Sequence, residues 1–120
     1  MKSYWIKAAG NGTELEERDV PVPVPDAGQL LVRVRAAGLN RGELITRGDL
    51  HGGAAARPAG TESAGEVERV GADVTDFAPG DRVMATGRGS FAAQSTAFRS
   101  NFQWSTDSTS QNTRSMSQGK

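Results

Sequence analysis

The sequence predicts an all-β fold with one or two short helices, curled into a small, partly open barrel. Three observations predict it. Short strand-like runs recur at roughly ten-residue spacing, glycine-containing turn signals separate them, and the clearest run alternates apolar and charged residues with a period of two.

Taken in order, residues 2–8 read as a strand packed through Tyr4 and Trp5, and Gly10-Asn11-Gly12 ends it with a turn signal. Residues 13–19 return beside it. Pro21, Pro23 and Pro25 alternate with other residues and exclude a helix or a central strand, because proline lacks the N–H that either would use. Asp26-Ala27-Gly28 turns the chain into residues 30–37, where Val32, Val34 and Ala36 face one way and Arg33 and Arg35 the other. Residues 41–47 fit one or two helical turns, and a Gly/Ala-rich loop follows over 48–56. Residues 61–70 form the next strand, with Ala64-Gly65 marking a bulge or a close approach. Gly71-Ala72-Asp73 turns it. Pro79-Gly80-Asp81 leads into a strand at 82–85, its aspartate placed to accept nearby N–H groups, which is a structural task.

At 120 residues the chain suits one domain. Fourteen basic and fourteen acidic side chains cancel, so charge gives no reason to expect nucleic acid or an anionic membrane as partner. The sequence contains no cysteine, which excludes disulfides and any thiolate metal site. Its single histidine, His51, builds no metal site without several carboxylates. No apolar run has the length of a signal peptide core or a membrane span, and the expectation is a soluble, cytoplasmic protein.

Composition shifts at Ala93. From there to Lys120 no Val, Ile or Leu occurs, and Ser, Thr, Asn and Gln supply 17 of the 28 residues. Such a segment offers little apolar surface to offset its backbone entropy. The expected division is a folded domain over 1–92 and a polar, disordered tail over 93–120.

One ordered set of residues carries more. Pro21-Val22-Pro23 precedes Gly28. Ala37-Gly38-Leu39-Asn40-Arg41-Gly42-Glu43-Leu44 is followed by Pro58-Ala59-Gly60-Thr61-Glu62-Ser63-Ala64-Gly65-Glu66-Val67 and by Val70-Gly71. Val74, Phe77, Pro79-Gly80-Asp81-Arg82-Val83 and Gly89-Ser90-Phe91-Ala92 complete it. This set resembles the N-terminal domain of zinc-free, quinone-oxidoreductase-like medium-chain dehydrogenases/reductases, over residues 1–92. The resemblance implies a GroES-like barrel, which a Rossmann domain and a late return segment complete in the family. No G-x-G-x-x-G follows a strand in this chain. Relatives continue Phe-Ala with Glu and an aromatic residue, whereas Ala93-Gln94-Ser95 stands here. The expectation is therefore a truncated domain, inactive alone and open at strand edges such as 82–85, through which it would self-associate.

The zinc-dependent branch places a cysteine and a histidine where Asn40 and Thr61 stand here. Glu62 remains, but a lone carboxylate does not hold Zn²⁺. The resemblance thus implies no zinc, NADPH as hydride source, and a quinone, enone or other small carbonyl compound as substrate. Without a Lewis acid, negative charge developing on the substrate oxygen must meet hydrogen-bond donors. Asn40 is the leading candidate, as catalytic donor or as holder of the nicotinamide carboxamide; a turn-forming role is its alternative. His51, in the glycine-flanked loop, is the second catalytic candidate, as donor or proton source. Thr61 is a cofactor-side candidate because it replaces the metal-binding histidine. Glu62 reads as a structural hydrogen-bond partner, and of Arg41 and Arg47, which flank the helical turns, Arg47 reads as a solvated surface residue, with reach to a phosphate or the substrate as its alternative. The competing function class is non-catalytic: a GroES-like binding module, or a frameshifted product without function.

Overall fold

The computed structural model of the chain describes residues 1–10, 12–45 and 56–104. Its elements are β1 (Lys2–Ala9), β2 (Gly12–Asp19), β3 (Gln29–Ala37), α1 (Gly42–Ile45), β4 (Arg57–Pro58), β5 (Glu62–Val70), β6 (Arg82–Thr86), β7 (Gln94–Phe98), a 3-10 turn (Arg99–Asn101) and β8 (Phe102–Trp104). The strands form two sheets, one in the order β2-β1-β4 and one in the order β7-β3-β5-β6-β8. No pairing joins β7 to β8, so the larger sheet stays an open half-barrel, as the expected fold class requires.

The first hairpin pairs Lys2 with Asp19 through to Ala9 with Gly12. Its outer strand β2 carries five charged side chains, which discourages pairing with another chain at that edge. Adjacent strand residues face opposite ways, so Tyr4 and Trp5 do not pack as a pair. Trp5 is half-buried with the Arg18 guanidinium 4.5 Å from its ring centroid. Tyr4 faces solvent and donates its hydroxyl to Glu17.

In the larger sheet, β3 and β5 place Leu30, Val32 and Val67 against Val83 of β6, Val74 and Phe77 of the intervening loop, and Phe102 of β8. Full burial of a side chain of this size contributes roughly 1.5–3 kcal/mol. The expected alternation holds for Val32 and Val34 against Arg33 and Arg35, but Ala36 is exposed. The ladder with β5 shifts register between Leu31 and Val32 and again between Val34 and Ala36. Gly65 sits opposite the second irregularity, where a Cβ would collide with the Arg33 carbonyl oxygen. The turn at 79–81 behaves as expected: Asp81 Oδ2 accepts the Ala78 N–H at 2.7 Å, and the Gly80 N–H donates to Val67 O at 2.8 Å.

Strand pairing continues past the expected boundary at residue 93. Residues 94–98 add an antiparallel strand to β3, with Gln94 opposite Arg33 and Phe98 opposite Gln29. Residues 102–104 add another to β6, with Phe102 opposite Ala85 and Trp104 opposite Val83. The edge at 82–85 is therefore paired, and the expected self-association there loses its basis. The physical reason is that two unfilled edges supply main-chain partners to a polar segment with little side-chain hydrophobicity of its own. One large residue then suffices as a plug: Phe102 is 5% exposed, its ring edge-on to Phe77 at a 6.2 Å centroid distance. Residues 105–120 lie outside the described residues.

Residues 91–93 stitch the sheets together. The Tyr4 N–H donates to Phe91 O at 2.8 Å, the Ala93 N–H to Lys2 O at 3.1 Å, and the Val34 N–H to Ala93 O at 3.0 Å. Beneath this seam Ile6 and Ala59 are buried with Phe91 packed on them.

Candidate functional site

At the end of β3 the chain passes Gly38 and Leu39, turns at Asn40 and enters α1. The turn runs directly beside the start of β5, because the Gly38 N–H donates to Glu62 O at 3.2 Å. Glycine at 38 leaves room there for a neighbouring side chain. The Glu62 side chain lies across position 38, where a Cβ would come within 2.7 Å of its Cδ. Glu62 is thus a structural neighbour of the turn, as expected.

The consequence is that Asn40 and Thr61, twenty-one positions apart, touch. Asn40 Nδ2 donates to Thr61 Oγ1 at 3.1 Å. Thr61 Oγ1 in turn donates to Glu43 Oε1 at 3.2 Å, and the other carboxylate oxygen, Oε2, accepts the Asn40 backbone N–H at 3.3 Å. The Glu43 N–H donates to Asn40 O at 3.0 Å. Glu43 therefore supplies one half of a capping box, its carboxylate reaching back to the Asn40 N–H, while the Asn40 side chain turns to Thr61 instead of capping the helix. Glu43 is 6% exposed, whereas Asn40 is exposed and Thr61 half-buried. A buried carboxylate thus anchors a chain of hydrogen bonds that ends on an accessible amide.

Next to this triad a cleft of about 520 Å³ opens on the face of the larger sheet turned away from its core. Ala36, Ala64, Met84 and Gln103 stand in one register row across β3, β5, β6 and β8 and form its floor, while Gly38 and Glu62 form the end nearest Asn40. The row is apolar apart from Gln103, and Ser63, Thr86, Ser100 and Asn101 add polar groups to the lining.

Two of the three candidate site residues are therefore brought together, and the third, His51, lies outside the described residues, as does Arg47. Arg41 is exposed. Glu43 was not among the candidates, although the spacing Asn40-Arg41-Gly42-Glu43 carries the signal for it: a capping residue followed three positions later by glutamate. Among the described residues no group of three or more His, Asp or Glu side chains converges as a metal site. At the two positions where the zinc-dependent branch has ligands, a neutral amide and a hydroxyl bond to each other, a donor set that does not suit Zn²⁺.

A family model described as the alcohol dehydrogenase GroES-like domain matches residues 26–108. A highly reducing polyketide synthase of Gibberella fujikuroi is 43% identical over 81 residues, covering 67% of this chain and 3% of that protein. A chloroplastic quinone-oxidoreductase of Triphysaria versicolor is 36% identical over 95 residues, covering 71% of this chain and 27% of that protein. The solved structure of a mycobacterial protein complexed with NADPH superposes with a TM-score of 0.76 at 29% identity, covering 89% of this chain and 34% of that one. The chain spans a minor part of each.

Proposed function

The chain belongs to the alcohol dehydrogenase GroES-like domain family, and we propose that it is the substrate-side domain of a zinc-free, NADPH-dependent oxidoreductase that reduces a quinone, an enone or another small carbonyl compound. The reading rests on one observation above all. The Asn40–Thr61–Glu43 chain holds a polarised amide close in the chain to Gly38 and Glu62, which line one end of the cleft, with Asn40 and Thr61 at the two positions where zinc-dependent relatives carry ligands. A cysteine-free sequence supports the zinc-free branch. The relation to a quinone-oxidoreductase and to an NADPH-bound structure supports the substrate and cofactor class.

The fit to the cofactor is partial. One Asn40 amide proton is used by Thr61, which leaves a second N–H and Oδ1, the complement of a primary carboxamide such as that of nicotinamide. Asn40, supported by Thr61, would hold that end. No glycine-rich loop opening a helix is present for the phosphates, so the chain by itself neither binds NADPH nor turns over. When bound, the cofactor supplies a hydride to the substrate. The protein's part would then be to stabilise negative charge on the substrate oxygen, the alternative use of that second Asn40 N–H, and to exclude water from the cleft floor. His51 is the proposed proton source. Equal numbers of acidic and basic side chains favour a small neutral substrate over nucleic acid or a membrane surface, in a cytoplasmic setting.

The test joins residues 1–104 to the remaining sequence of a quinone-oxidoreductase relative and measures NADPH oxidation by a quinone. Asn40→Ala should cost ~3 kcal/mol, roughly a hundredfold in turnover, for the loss of one oxyanion donor. A change below about threefold would return Asn40 to a turn-forming role. His51→Ala should cost less.

A further inference from the structure

We infer that Glu43 is a positioning residue whose negative charge sets the direction of the hydrogen-bond chain, and so decides which face of the Asn40 amide meets the ligand. This deepens the proposed function and rests on it.

The argument is one of proton counting. Thr61 has a single hydroxyl proton and two lone pairs. An ionised Glu43 can only accept, so the Thr61 proton goes to Glu43 Oε1. Thr61 Oγ1 must then accept from its other neighbour, which fixes Asn40 with Nδ2 toward Thr61 and Oδ1 turned away. The second carboxylate oxygen takes the Asn40 backbone N–H, so one buried anion holds the residue at both main chain and side chain. A neutral glutamine at 43 would remove this constraint. Its carbonyl could still take the Asn40 N–H while its amide donated to Thr61 Oγ1. The Thr61 proton would then be free for Asn40 Oδ1, and the Asn40 amide would flip. The helix cap would survive, yet the group offered to the ligand would change.

A swap in the 120-residue chain tests this. Asn40→Asp alone places two carboxylates around one hydroxyl proton and should lower the melting temperature. Glu43→Gln with Asn40→Asp rebuilds the chain in reverse, from Gln to Thr61 to Asp, and should recover most of that loss. The spectroscopic readout is the Asn40 side-chain amide resonance pair in a ¹⁵N-correlated spectrum. Glu43→Gln should shift it strongly while leaving β5 and β6 amides in place, and Glu43→Asp should leave the pair close to its original position. Additive melting shifts in the double variant, or an Asn40 pair unmoved by Glu43→Gln, would overturn the proposal. Neither measurement uses turnover. An inactive joined enzyme with a confirmed swap would therefore refute the functional reading alone, and the reverse outcome would refute only the role of Glu43.

Discussion

Arg99 donates through Nε to Asp76 Oδ2 at 2.6 Å, with its guanidinium carbon 5.6 Å from the Phe77 ring centroid. The contact ties the turn between β7 and β8 to the loop that carries two core residues. Both charged side chains are partly exposed, so the pair acts locally. Arg99→Ala should raise hydrogen exchange at the β7 and β8 amides while moving the melting temperature by a few degrees at most. Unchanged exchange in β8 would mean that strand pairing alone holds the segment.

Phe102 should matter far more. It is buried against Phe77 and is the plug of an otherwise polar stretch. Phe102→Ala should cost about 3–5 kcal/mol in chemical denaturation, a large share of the stability of a domain this size. A loss below about 1 kcal/mol would mean that β8 is dispensable.

Two glycines should respond differently to alanine. At Gly65 the new methyl meets the Arg33 carbonyl oxygen, a main-chain atom inside a paired ladder, and the cost should be about 1–3 kcal/mol. At Gly38 it meets the end of the flexible, exposed Glu62 side chain, which can swing aside, and the cost should stay below about 1 kcal/mol. Thermal melts of both variants check the order, and a reversed order would contradict the geometry.

The β1–β2 hairpin should lend the chain a small acid-sensitive increment. Hydrogen bonds from Lys2, then from Tyr4, hold Glu17 below its usual 4.5, and the hydrogen bond from Arg18 does the same for Glu16. A lowered carboxylate stabilises the fold above its usual value, and that part is lost as pH falls through the folded value. Tyr4 and Lys2 are raised above 10.0 and 10.5, chiefly by their hydrogen bonds to Glu17, so their part is present below those values and lost at higher pH. Glu17→Gln should therefore lower the melting temperature slightly at about pH 7, and the difference should shrink as pH falls below the usual 4.5 of Glu17. A difference that persists in acid would point to packing rather than charge.

The 120-residue chain mixed with NADPH should show no saturable quenching of Trp5 fluorescence at millimolar concentrations, since among the described residues no glycine-rich loop opens a helix of the length that grips phosphates. A micromolar midpoint would contradict this.

Much of the sheet was legible because β3 and β5 alternate in hydrophobicity and their turns carry glycine at the points of reversal. β7 and β8 were not. Their residues contribute little apolar surface, and what holds them is the empty hydrogen-bonding edge of two strands distant in sequence, a property of the assembled sheet rather than of residues 94–104. Asn40 and Thr61 could be paired only through the resemblance, since neither composition nor spacing brings residues that far apart together. Glu43 was readable from the capping pattern, but that pattern speaks of helix starts and says nothing of a threonine across the turn.

The seam at Ala93 also sets an order of events at the ribosome. Lys2 and Tyr4 are made well before their main-chain partners Ala93 and Phe91. At roughly 5–20 residues per second, several seconds pass before those partners exist. In that interval the β1–β2 hairpin can form locally, but Ile6 has no roof. The nascent chain thus carries an uncovered apolar spot at Ile6, and the two sheets lock to one another only when residues 91–93 emerge.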